Sequence, residues 1–137
     1  MSSSTLRKTT KPPHQPLYSK HFDAYWKDGV VVCNYHKDRD ITLEDAKEIV
    51  RLRMKHFGHE PYPGMVLSTP IMNVDKAGRE YLFTHGLDRI SAMGIVESDH
   101  ICRIMLTAYL TIFKTAIPIK IFRQEEEARN WLKQFVK

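Results

Sequence analysis

At 137 residues the chain is long enough for one domain and too short for two with well-filled cores. Hydrophobic residues make up 42% and charged residues 27%, a globular composition that excludes wholesale disorder. The formal net charge is +5, but Arg7, Lys8 and Lys11 supply three of those charges within residues 1–16, which hold no acid. The remaining 18 basic and 16 acidic residues nearly balance, which argues against a nucleic-acid-binding stripe on the folded part.

Residues 1–16 are rich in Ser, Thr and Lys, and Pro12, Pro13 and Pro16 oppose regular structure. They are expected to form a disordered basic tail ahead of a single domain over 17–137. They lack the apolar stretch of a secretory signal. The longest nearly unbroken apolar run, 104–113, is half of the roughly 20 residues a membrane helix needs. A cytoplasmic protein without a membrane span is the expectation. Cys33 and Cys102 sit in apolar patterns far from any Cys or His spacing, and read as small buried hydrophobes.

The first strand is predicted over 18–26, with Tyr18, Phe22 and Tyr25 in imperfect alternation. Lys27-Asp28-Gly29 supplies a hairpin turn, because Gly tolerates the positive φ such turns require. Val30 to Tyr35, β-branched and short, is the antiparallel partner. Thr42-Leu43-Glu44-Asp45 resembles a capping box with Asp at its third position. The helix behind it carries Leu43, Ala46, Ile49, Val50, Met54 and Phe57 on one face and is ended by Gly58.

After a loop over 59–64, residues 65–69 read as a third strand stopped by Pro70. Asn73 or Asp75 caps a short helix to about Thr84. Residues 91–97 form a fourth strand whose small residues allow a helix to pack closely. Ser98 or Asp99 caps a long helix over 100–114, and 117–122 is a fifth strand, with Pro118 favouring an edge position. The last helix opens on Glu125, Glu126 and Glu127 and closes with Lys133 and Lys137, charges matched to the helix dipole. Ala128, Trp131, Leu132 and Phe135 form its buried stripe. The order β-β-α-β-α-β-α-β-α predicts an α/β fold with a mixed five-stranded sheet, an antiparallel hairpin first and parallel strands after it.

That order resembles the STAS-like, or SpoIIAA-like, superfamily, and more narrowly its small bacterial proteins of unassigned function. The resemblance rests on Ser91-Ala92-Met93-Gly94-Ile95-Val96-Glu97-Ser98, on Arg103 and the apolar helix, on Ile117-Pro118-Ile119-Lys120-Ile121-Phe122, and on the ending Glu126-Glu127-Ala128-Arg129-Asn130-Trp131-Leu132. It covers about 20–137 by architecture and 91–132 by recognisable sequence. In the superfamily's sporulation regulators a serine at a helix start after the third strand is phosphorylated. Here the matching stretch, Asn73-Val74-Asp75-Lys76-Ala77-Gly78, has no Ser or Thr. Asp75 is either a standing negative charge there or an ordinary N-cap.

No arrangement of residues demands a particular chemistry, and the sequence does not determine the function. His56, His59 and Glu60 lack a third ligand at diagnostic spacing for a metal, and no cofactor is implied. His36, Asp38 and Asp40 form a polar loop cluster that can be read as an acid–base group or as solvated loop. Ser98, His100 and Arg103, with Asp75, are the candidate ligand-binding residues. The first three lie at a strand end and helix start, where an anion is favoured unless Asp99 already fills that field.

The helix beyond is apolar nearly all round. Its second face must meet a neighbouring helix such as 76–84, a second subunit or an apolar ligand. Leu106, Tyr109, Leu110 and Phe113 are the candidate interface residues of a homodimer. The leading expectation is a non-enzymatic regulatory or protein-interaction module. The alternative is a small-molecule carrier with an apolar or acidic ligand near the 98–113 helix.

Overall fold

The computed structural model describes residues 15–37 and 39–137. Its six-stranded sheet runs β1 (Leu17–Tyr18), β2 (Phe22–Lys27), β3 (Val30–Tyr35), β4 (Tyr62–Ser68), β5 (Ile90–Val96) and β6 (Ile119–Phe122), and neighbours in the sheet follow chain order. The first two pairings are antiparallel and the last three parallel. The helices are α1 (Leu43–Phe57), α2 (Lys76–Thr84), α3 (His100–Phe113) and α4 (Glu125–Leu132). Short 3-10 turns lie at Ile71–Asn73, His85–Leu87 and Lys133–Phe135.

The mixed sheet with its opening hairpin is as the sequence predicts, with one strand more. The strand expected over 18–26 is broken at Ser19, whose Oγ donates to the Phe22 carbonyl and accepts from its N–H. That tight turn folds Leu17–Tyr18 back onto Asp23 and Ala24. The β2–β3 turn has Asp28 at φ 53° and Gly29 at φ 81°. Two positive φ values in a row match the right-handed twist of the paired strands.

β4 also begins earlier than predicted, running through Pro63, which sequence reading leaves in a loop. Its pairing with β5 shifts register between Tyr62 and Gly64, and at such a bulge the missing proline N–H breaks no ladder bond. β6 starts at Ile119, after Pro118, at the sheet edge.

Thr42 and Asp45 form the capping box of α1, and Gly58 ends that helix at φ 84°. The buried face of α1 is Ala46, Ile49, Val50, Arg53 and Phe57, so the inner stripe carries Arg53 where Met54 is expected. Asp75 and Asp99 cap α2 and α3 by accepting from the N–H groups of Gly78 and Cys102.

The sheet is covered unequally. α1 and α2 pack on one face over Phe22, Ala24, Val31 and Ile90. α3 continues that layer over Ile95, Ile119 and Ile121. The other face, with Val30, Val32, Met65 and Ala92, is covered by α4 through Ala128 and Leu132. Gly94 makes the close approach possible: a methyl there would lie 3.3 Å from Leu132 Cδ1 and 3.4 Å from the Ala128 methyl.

Gly78, in the first turn of α2, sits tighter still. A Cβ there would lie 2.9 Å from Asp75 Oδ1 and Val74 Cγ1, and 3.3 Å from the Thr42 carbonyl oxygen. Gly→Ala in an open helix stabilises by up to ~1 kcal/mol. Gly78→Ala should instead destabilise by about 1–3 kcal/mol through overpacking, measured as a lower urea midpoint at unchanged slope.

Candidate functional site

Two concave regions lie on the sheet. The first is a polar cleft of about 310 Å³ at the C-terminal ends of the parallel strands, bordered by His36, Ser68, Asn73, Ser98, Asp99 and Arg123. The second is a cavity of about 90 Å³ between the sheet and the α1–α2–α3 layer.

Ser98 borders the polar cleft, while His100 and Arg103 stand outside its lining. Asp99 fills the positive start of α3. Its Oδ2 accepts from the Cys102 N–H at 2.9 Å, and that bond holds its carboxyl below the ordinary range. Glu97 Oε2 accepts from the Asp99 N–H at 3.0 Å, adding a second carboxylate, and Arg103 turns back to the Glu97 carbonyl at 3.2 Å. Asp75 is likewise a cap, accepting from the Gly78 N–H at 2.7 Å. The fields that favour an anion at both helix starts are already met by the chain's own carboxylates.

The other candidate residues are spread apart. His36 donates from Nδ1 to the Lys20 carbonyl at 3.0 Å and faces Asp23 at 3.2 Å, away from any pairing with Asp40; Asp38 lies outside the described residues. His56 reaches the Gln15 carbonyl at 2.8 Å. Among the described residues no three His, Cys, Asp or Glu side chains gather as a metal site. Cys33 and Cys102 are unpaired, and burial pushes both thiols up to about 11, so neither is a thiolate near neutral pH.

The faces of α3 divide clearly. Leu106 is 1% exposed and belongs to the core. Tyr109 and Phe113 pack on Phe83 of α2, with ring centroids at 6.1 and 5.3 Å. A neighbouring helix therefore covers one flank, and Leu110 is half-buried. The open flank is made by residues absent from the predicted interface: Ile101, Ile104 and Ile112, at 56%, 54% and 69% exposure, with Ala108 between them.

The inner cavity is apolar apart from a few groups. Arg53 is 5% exposed; its Nη1 donates to the Tyr62 hydroxyl at 2.6 Å and its Nη2 to the Gly86 carbonyl at 3.1 Å. Arg79 also lines it, donating to the Val74 carbonyl at 2.7 Å and lying 4.9 Å over the Tyr109 ring. Sequence reading missed both. The available signal was Arg53 falling at an inner position of the 46-50-53-57 stripe.

The layered sheet is a SpoIIAA-like fold. It superposes with a TM-score of 0.57 on the crystal structure of an uncharacterized protein of the DUF3478 family, with a SpoIIAA-like fold, from Shewanella loihica PV-4. The two chains are 12% identical, and the match covers 85% of this chain and 98% of the other. The family model described as Domain of unknown function (DUF7793) matches residues 24–136, and the chain belongs to that family. No curated protein matches the chain.

One polar pair fixes the entry to α1. Buried His21 places Nε2 3.2 Å from Asp45 Oδ1, while Asp45 Oδ2 accepts from the Thr42 N–H at 3.0 Å. That backbone bond, more than His21, holds the Asp45 carboxyl below its ordinary value. A carboxyl depressed in the folded state contributes stability at neutral pH that is lost as pH falls through the depressed value. Thr42→Ala should cost about 1 kcal/mol at pH 7. Asp45→Asn should lower Tm at pH 7 and flatten, in part, the fall in Tm between about pH 5 and 3, followed by calorimetry.

Proposed function

We propose that the chain is a non-enzymatic protein-interaction module of the cytoplasm that pairs with a second copy of itself through the outer stripe of α3. The observation that carries this reading is the exposure of Ile101, Ile104 and Ile112 in a row on one helix. Isolated exposed apolar residues are ordinary, whereas a contiguous stripe marks an interaction surface.

The pattern of the stripe favours a second copy as occupant. Ile104 and Ile112 are equidistant from Ala108 in sequence. A two-fold axis through Ala108 sets Ile104 of each copy against Ile112 of the other, the reciprocal matching that an isologous dimer requires. Ala108 at the axis lets the two helices approach closely. The stripe carries no charge, so closing it on itself desolvates none and opposes none. The polar edge of α3 also suits an exposed rim, since Thr107 and Thr111 donate their hydroxyls to carbonyls one turn back.

A non-enzymatic role is supported by how the reactive groups are used: Asp75 and Asp99 as caps, His36 on Asp23, and Cys33 as a protonated thiol. The regulatory serine of the sporulation proteins has no counterpart in residues 73–78. Among the described residues no helix is long and apolar enough to cross a membrane, and the two unpaired cysteines suit a reducing compartment.

Sedimentation equilibrium from 5 to 200 μM tests the reading. Wild type should have twice the chain mass, and Ile104→Asp with Ile112→Asp should have the chain mass with Tm within a few degrees of wild type, since both side chains are more than half exposed. A wild-type monomer at 200 μM overturns the pairing, and a dimer that persists in the double variant overturns this surface.

A further inference from the structure

We infer that the cavity inside the α1–α2–α3 layer is a binding site for a small apolar carboxylate, with Arg53 as the group that receives the acid. The cavity lies against the inner side of β3, β4 and β5 and reaches Leu106 of α3. Val50, Val66, Ile71, Leu82 and Met93 are among the side chains that make it apolar.

Arg53 is out of place in such a lining unless it has an anion to meet. A guanidinium has five N–H donors in a planar fork, and two of them are used here, on a phenol and on a single carbonyl. Among the described residues no carboxylate lies within 4.0 Å of Arg53 or Arg79, and no acidic residue lines the cavity. The remaining polar neighbours are neutral: burial raises the Cys33 thiol to about 11 and also raises the Tyr35 and Tyr62 hydroxyls. Burying a cation costs several kcal/mol, and neutral acceptors recover only part of it. A carboxylate supplies what is missing, because it accepts two parallel bonds from the guanidinium fork and cancels the charge.

Arg89 shows what compensation looks like in the same molecule. It too is partly buried, but it donates to the Met54 and Gly58 carbonyls at the negative end of α1, where the helix dipole supplies the opposing field. Arg53 precedes Met54 on the same helix, but its guanidinium goes to the Tyr62 hydroxyl and the Gly86 carbonyl and not to the carbonyls that end α1.

The volume sets the size of the ligand. A cavity of about 150 Å³ takes a benzene ring. At about 90 Å³ this one takes roughly four non-hydrogen atoms, carboxylate included, the size of acetate or, with slight give of the lining, propionate.

Thermal unfolding and calorimetry of the full chain, with acetate and propionate as probes, test the site. Expected is a saturable rise in Tm of about 2–5 °C at 10 mM. Propionamide, which keeps the shape and lacks the charge, should give no rise, and neither should isovalerate, which has the charge and too large a body for the space. Arg53→Gln should weaken propionate at least tenfold, and Val50→Phe, which fills the cavity, should abolish binding. No shift with either acid at 50 mM overturns the inference. So does an equal shift with the amide, a comparison made on wild type that stands if Arg53→Gln fails to fold. Undiminished binding in Val50→Phe overturns it as well.

Discussion

The sheet adds its strands in chain order and never reverses, and the placement of the helices follows from that. A parallel crossover is right-handed in nearly all proteins, so three crossovers stepping the same way along a sheet leave their helices on the same face. Here α1, α2 and α3 form that single layer, and the opposite face is left to α4, which follows the last strand. Residues of β5 meet both demands: Ala92 and Gly94 are small on the α4 side, while Met93 and Ile95 fill the other.

Two properties of the surface come from this one-sided winding. A sheet that reverses opens a crevice between helices on opposite faces, and ligands collect there. This sheet has no such reversal, so its strand ends carry an open polar cleft bordered by Glu97 and Asp99. The layer also has an end. Among the described residues α3 has α2 on one side and leaves Ile101, Ile104 and Ile112 exposed on the other, over β6 at the sheet edge. A helix in the middle of a layer needs apolar residues on both flanks, and one at the end needs them on one. That α3 carries them on both is what distinguishes its sequence from its position.

Much of the fold was legible because short motifs specify it locally. Asp28-Gly29 dictates a turn with two positive φ values, Thr42 and Asp45 satisfy each other's backbone at the start of α1, and Gly58 ends that helix. What failed to be legible depended on partners distant in sequence. The break at Ser19 is closed by Phe22, but it is stable because β2 offers an edge for Leu17 and Tyr18. Pro63 is accepted inside a strand because the neighbouring register slips there. The inner face of α1 was misjudged by one residue: the 46-50-53-57 spacing turns position 53 inward, but the charge of Arg53 argues for its apolar neighbour Met54 in that place. Only the packing of α1 over Tyr62 and Gly86 reverses that choice.

The misjudged residue and the acidic helix caps belong to the same electrostatic pattern. An α/β fold normally offers anions its helix starts, where backbone N–H groups need no cation. In this chain Asp75 and Asp99 occupy two of those starts and α4 opens on Glu125, Glu126 and Glu127. Each of these choices stabilises the helices and raises the cost of bringing another negative group to the ends of the strands. Positive charge is instead held inward by Arg53, where the dielectric is low and an opposite charge acts most strongly. The domain thus presents neutral or acid-filled termini to solvent and, among the described residues, keeps a buried guanidinium without a carboxylate partner beneath three helices, in a space bounded by apolar side chains. An anion that met it would shed its hydration on entry, a cost that an apolar body offsets in part by leaving water itself.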